Sequence, residues 1–222
     1  CAFVETVVDP MMCGIAGFGS FQAYMPGAGI HETIDFHGRV PAAAKPDMWL
    51  DLIEGEARDG FGFILKGHVN DIGHQSVTTP GSLKAYHEAH SRFGTLPWAD
   101  VVAPAIAHAR DGFAVTPGIY HYWISEDPSG RISVADRLRH TPEARRLFCD
   151  EGGEIRRMGT ILENPDYARS LERIADEGPD VFYRGEIGRG IADDMAANGG
   201  LLSMADLEAY ETVPGQPLRG SY

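Results

Sequence analysis

The sequence predicts an α/β fold of the α+β kind, and three observations predict it. Before residue 80 the apolar residues fall in short stretches cut by Pro and Gly, the pattern of strands and turns. From residue 82 onward they recur at three- and four-residue spacing, the helical period. No repeat or low-complexity tract divides the chain, and at 43% hydrophobic its 222 residues can close a sizeable core, so residues 1–222 read as a single domain.

Taken in order, residues 3–8 are an apolar stretch stopped by Asp9-Pro10. The run Cys13-Gly14-Ile15-Ala16-Gly17-Phe18-Gly19-Ser20 follows, with glycines spaced so that neighbouring backbone can come close. Residues 14–20 are expected in the central sheet, under the helix that begins near Ser82. Residues 30–40 read as a strand ending at Pro41, residues 46–57 as a short helix or a loop carrying Trp49, and residues 61–65 as a third strand. Beyond Thr79-Pro80-Gly81, Leu83, Tyr86, His87, His90 and Phe93 share helical spacing, with Ser82 as N-cap and Gly94 as stop. Residues 98–109 form a second helix after Leu96-Pro97, and Pro104 should kink or divide it. Residues 143–149, 165–177 and 187–198 read as further helices, the last two ended by Gly178-Pro179 and Gly199-Gly200. Ser203 with Asp206 three residues on is a capping box with Asp in place of Glu, opening one more short helix.

A formal net charge of −13 repels phosphate backbones and anionic membranes, so neither nucleic acid nor a membrane surface is an expected partner. No apolar run approaches the ~20 residues that span a bilayer. Three cysteines, Cys1, Cys13 and Cys149, make a poor disulfide framework and suit a reducing compartment, cytoplasmic ahead of periplasmic. The chain opens on Cys1 rather than Met, which leaves room for a leader or an earlier segment.

Three constellations carry candidate chemistry. Gly14-Ile15-Ala16-Gly17-Phe18-Gly19 has the look of a phosphate loop, but no Lys-Ser/Thr follows it, and a close-packed turn explains it better. His87 and His90, three apart beside Glu88, have metal-ligand spacing, yet helix histidines with ordinary partners are the simpler reading, and no metal or other cofactor is expected. Asp35, His37 and Arg39 alternate along the predicted strand and so share one face. A guanidinium there suits bidentate capture of a carboxylate, and a surface ion pair explains it equally well.

Several segments taken together resemble the γ-glutamyltransferase superfamily of Ntn hydrolases. Val8-Asp9-Pro10-Met11-Met12-Cys13-Gly14-Ile15-Ala16-Gly17 is similar to the stretch leading into that family's glycine-rich strand. Thr79-Pro80-Gly81-Ser82-Leu83 resembles its turn into a helix, and His87 through Asp100, including Arg92-Phe93-Gly94-Thr95-Leu96-Pro97-Trp98, resembles its helix-to-helix signature. Pro104-Ala105-Ile106-Ala107, Asp111-Gly112-Phe113-Ala114-Val115, Arg184-Gly185-Glu186-Ile187, Asn198-Gly199-Gly200-Leu201-Leu202, Asp206-Leu207-Glu208-Ala209-Tyr210-Glu211 and Pro217-Leu218-Arg219-Gly220-Ser221-Tyr222 follow in family order.

The resemblance implies a four-layer αββα Ntn sandwich, cut from a precursor and incomplete without a small chain. The small chain would carry the nucleophilic threonine, with its own α-amine as base. This chain would then be one incomplete domain, the large-chain part, lacking the family's first strand-and-helix segment and stopping short of the processing site. It would hold no catalytic residue and be inactive alone. The implied substrate is a γ-glutamyl compound or a related small amide, and a homo-oligomer of large/small heterodimers is the further expectation. His37 stands where the family carries the arginine that holds the glutamyl α-carboxylate, with Arg39 two positions on. Since His lacks Arg's planar fork, either Arg39 recovers the contact or the substrate is a non-glutamyl amide. A non-catalytic scaffold is the alternative from another class.

Overall fold

Ala2–Val8 is the first helix, α1, because Phe3, Thr6 and Val7 are spaced to bury one helical face, whereas a strand would bury alternate residues. The computed structural model describes residues 1–218 and Gly220, so Arg219, Ser221 and Tyr222 of the last family-like segment lie outside the described residues. Strands β1 (Ser20–Met25) and β2 (Ile30–Asp35) form an antiparallel hairpin in register Ser20↔Asp35 to Met25↔Ile30. Strands β3 (Ile53–Glu56) and β4 (Phe63–Leu65) make a second hairpin. Helices α2 (Ser82–Phe93) and α3 (Trp98–Asp111) follow, then β5 (Phe113–Ala114). Helices α4 (Pro117–Trp123), α5 (Val134–Arg139) and α6 (Pro142–Phe148) lead to β6 (Ile161–Leu162), which pairs with β5. Helices α7 (Pro165–Glu177), α8 (Asp180–Tyr183), α9 (Glu186–Ala197) and α10 (Met204–Glu208) precede β7 (Val213–Gly215). The fold is α+β, and none of the helices described is long and apolar enough to cross a membrane.

Strand β7 returns to pair with β2, giving a sheet of order β1-β2-β7. Alternation assigns its faces. Ile34 and Phe36 are buried with Ala85 under α2, where Tyr86, Ala89 and Phe93 complete the contact, and Ala23 of β1 is buried too. Gln22, Tyr24 and Asp35 point the other way and are exposed. The main core lies beyond α2. Val102, Ala105 and Ala109 of α3 are buried with Ala168, Leu171 and Ile174 of α7, and α1 closes the group through Phe3 and Val7. Full burial of a side chain such as Leu171 or Ile174 is worth about 1.5–3 kcal/mol. Trp98 adds direction by donating its indole N–H to the Ile174 carbonyl at 2.9 Å.

Four expectations are corrected. The strand predicted over residues 30–40 stops at Asp35: Phe36 still exchanges hydrogen bonds with Gly19, but the His37 N–H goes to the Asp35 carboxylate and the chain turns away to pair Arg39 with Thr79. Residues 14–18 are not in the sheet. They form a turn whose carbonyls receive the first N–H groups of the α2 segment, Gly81 and Ser82 to Gly17 (2.9 and 3.1 Å) and Leu83 to Ile15 (3.3 Å); of residues 14–20 only Gly19 and Ser20 join the ladder. Backbone carbonyls therefore cap α2, its N-cap being Gly81 with no side-chain bond, while Ser82 is the first helical residue. Of the two outcomes expected for Pro104, a kink or a division of α3, division does not occur, since Pro104 and Asp100, whose carbonyl loses its partner, both face solvent, where water can satisfy it.

Candidate functional site

The site grows from the end of β2. The Asp35 carboxylate accepts the His37 backbone N–H at 2.9 Å and pairs with His37 Nδ1 at 2.7 Å, which folds the chain back on itself just past the strand. The backbone donor first, and the ring second, hold the Asp35 carboxyl below the usual carboxylate range. The alternation seen in the sequence survives the end of the strand: Phe36 is buried while Asp35, His37 and Arg39 are exposed. Of the three only Asp35 lies in the strand, on the sheet's uncovered face, while His37 and Arg39 follow beyond its end. Phe18, itself exposed, brings its ring to 5.8 Å from that of His37.

Arg39 is held from two sides. Its backbone exchanges both hydrogen bonds with Thr79, at 3.2 and 2.8 Å. Its guanidinium donates through Nη2 to the Glu211 carbonyl at 2.8 Å and lies over the Tyr210 ring at 5.4 Å. Only one of the five guanidinium N–H groups is spent on that carbonyl, so the fork retains donors for an anion. Tyr210 donates its hydroxyl to the His37 carbonyl at 2.9 Å, so a single side chain braces both candidate residues. Burial raises the Tyr210 pKa, which keeps the phenol protonated and a donor, and Arg39 offsets only part of the rise. Lys84 bonds the Glu211 carboxylate at 3.1 Å, adding a second cation on the far side of the same residue. The result is an open rim with a preset guanidinium, able to bind a carboxylate and lacking any activated nucleophile among its own groups.

Tyr210, Glu211 and Lys84 were not singled out as site residues from the sequence. Tyr210 and Glu211 reach the rim only through the return of the chain into β7, and nothing local marks that contact. The other two constellations have structural work. The turn of residues 14–18 caps α2, as described above. His90 bonds the Leu96 carbonyl at 2.7 Å, and His87 meets the Trp98 ring edge-to-face at 5.0 Å, with burial lowering the His87 pKa. Among the described residues no group of three His, Cys, Asp or Glu side chains is gathered for a metal.

Comparison with known proteins gives a consistent set. The family model described as Gamma-glutamyltranspeptidase matches residues 1–222. The chain is 40% identical over 222 residues to an Acylase ACY 1 proenzyme of Pseudomonas sp. (strain V22), covering 99% of this chain and 37% of that protein. It is 32% identical over 209 residues to the Glutathione hydrolase proenzyme of Escherichia coli (strain K12), covering 94% of this chain and 33% of that one. The chain thus spans about a third of the length of these relatives. Among solved structures, a gamma-glutamyltranspeptidase from Pseudomonas nitroreducens complexed with L-DON superposes with a TM-score of 0.80 at 29% identity, over 100% of this chain and 59% of that one.

Proposed function

The chain belongs to the gamma-glutamyltranspeptidase family, and from that premise we propose that it is the large-chain part of an amidohydrolase, one incomplete domain whose nucleophile comes from a small chain of the same precursor. In this reading the small chain's N-terminal threonine attacks the substrate's amide carbonyl, its α-amine taking the hydroxyl proton. The C–N bond breaks, the leaving amine departs with a proton, and an acyl-enzyme remains. Water then releases the acid, or a second amine takes the acyl group. This chain contributes position: the rim holds the substrate's carboxylate while the reacting carbonyl meets the threonine.

The observation that carries this reading is the exposed Arg39 guanidinium, braced by Tyr210 and the Glu211 carbonyl just past the end of β2, beside a sheet that α2 covers on one face and leaves uncovered on the other. An Ntn sandwich stacks a second sheet on such an uncovered face, and the exposed Phe18 and Tyr24 rings suit that contact. Arg39→Ala in the full-length protein should weaken binding of the preferred substrate by about 1.5–3 kcal/mol, seen in KM. His37→Ala should cost less, because an imidazole offers no fork. Unchanged KM and kcat for Arg39→Ala on the best substrate of a panel would end the claim that this rim reads a carboxylate.

A second reading, a non-glutamyl acyl amide as substrate, is favoured by His37 standing in the place of the family's arginine. The higher identity to the acylase than to the glutathione hydrolase supports it too. A panel of γ-glutamyl anilides against acyl amides of other acids separates the two readings. Under the second, His37→Arg raises γ-glutamyl hydrolysis from a low base.

A further inference from the structure

Between the rim and the β3–β4 hairpin lies a cavity of about 580 Å³. That is within the range of roughly 300–1,000 Å³ typical of small-ligand pockets. Its walls are mostly apolar, with Trp49, Ile53, Phe63 and Leu65 among the large side chains. Two of them are open to solvent, Ile53 and Phe63 keeping 41% and 47% of their surface in water, while Leu65 is buried at the chamber's base. Covering that surface is favourable at about 25 cal/mol per Å². Several polar groups of the wall have partners within the chain, while Asn70 Oδ1 is buried with none among the described residues. Trp49 Nε1 donates to Gln75 Oε1 at 3.1 Å, and Asn70 Nδ2 donates to the Phe63 carbonyl at 2.9 Å. Among the lining residues only Lys45 is charged. Lys84 has Glu211 as its partner, whereas Lys45 forms no ion pair among the described residues, in a chain of net charge −13.

We propose that this cavity is a binding site for a small amphipathic monocarboxylate, its aryl or alkyl body against Trp49, Ile53 and Phe63 and its carboxylate on Lys45. An apolar chamber with one unpaired cation complements a ligand with one apolar end and one negative charge. A neutral apolar ligand gains nothing from the Lys45 ammonium, which is exposed to water, and a short hydrophilic acid leaves the chamber unfilled. The site stands apart from the amidohydrolase reading, because it uses neither Arg39 nor His37 and needs no nucleophile.

The test is calorimetric titration of the full-length protein with 4-phenylbutyrate, its neutral amide 4-phenylbutanamide, and butyrate. 4-Phenylbutyrate should saturate a site with a Kd at or below about 1 mM. The neutral amide and butyrate should each bind at least about tenfold more weakly. Lys45→Gln should bring 4-phenylbutyrate down to the level of its amide while leaving the amide unchanged. Ile53→Trp, which fills the chamber from a partly exposed position, should abolish binding, with circular dichroism matching the parent. Arg39→Ala should leave all three affinities as they are, so a failure of the amidohydrolase reading and a failure of this one are distinguishable. No heat with 4-phenylbutyrate up to about 10 mM overturns the proposal, as does equal binding in Lys45→Gln. A chamber filled by another part of the full-length protein gives the first of those results.

Discussion

Replacing Gly81 by Ala should loosen the candidate site from beneath. Gly81 has φ −117° and ψ −18°, a conformation open to any residue, so its backbone does not demand glycine. Space does. A Cβ there would fall on the Tyr210 hydroxyl and the Phe36 carbonyl, and would stand 2.6 Å from Tyr210 Cζ. Tyr210 must move, and with it go the bond to the His37 carbonyl and the ring under Arg39. Overpacking of this kind costs about 1–3 kcal/mol. The lost hydrogen bond adds about 1 kcal/mol, so the variant should lose roughly 2–4 kcal/mol. For a domain of this size that is a fall in Tm of roughly 4–16 °C, readable by scanning calorimetry of the full-length protein. KM should rise along with it, because the brace on both rim residues is gone. Tyr210→Phe alone should lose only the bond, about 1 kcal/mol. Gly81→Ala made in that background should cost less than in the parent, since the first atom in its way is absent. If Gly81→Ala stays within about 0.5 kcal/mol of the parent with KM unchanged, the tight seat of Tyr210 under the rim is wrong.

Two further outcomes follow from buried and capping groups. Tyr167, whose hydroxyl donates to Thr6 at 2.6 Å, has its pKa pushed up to about 12, chiefly by burial. A folded-state pKa raised above the unfolded value gives stability that is fully present below about pH 10 and is lost as pH rises toward 12. The share of this one residue is on the order of 3 kcal/mol. Tyr167→Phe should flatten that part of the alkaline stability profile, and an unchanged profile would show that the phenol is not sealed from water. Ser203→Ala removes the cap on the Asp206 N–H and the bond to its carboxylate, and should cost about 1 kcal/mol by urea unfolding. No change there would mean that Asp206 holds the turn without its serine.

What could be read from the sequence was what local chemistry encodes. Helix α7 was legible at both ends, because Pro165 sits at a first turn, Gly178 at a stop, and Ala168, Leu171 and Ile174 at the buried spacing. The Ser203–Asp206 box was equally plain. Helices α4 and α5 had readable starts, Thr116 before Pro117 and Ser133 three before Asp136, each with a side-chain cap in the structure, but their six or seven residues are too few for a periodic signal. Helix α1 was missed for the same reason. At the site, the alternation of Asp35, His37 and Arg39 was legible. The partners that give it shape were not, because Tyr210 and Glu211 arrive from the other end of the chain and only tertiary packing brings them there. The glycine-rich run shows the limit most clearly. Its spacing announces close backbone approach, and the approach turns out to be to the start of a helix instead of a neighbouring strand.

The pairing of Arg39 with Thr79 also has a consequence for how such a protein can change. Those two residues close the base of an excursion, residues 40–78, that contributes all of the cavity lining except Leu201. For a segment tied at its foot, doubling its length adds only about 0.6 kcal/mol of closure entropy. Insertions, deletions or a wholesale exchange between those two points therefore leave the guanidinium where it is. The chamber's lining can be rewritten as a cassette while the seat of Arg39 is inherited intact.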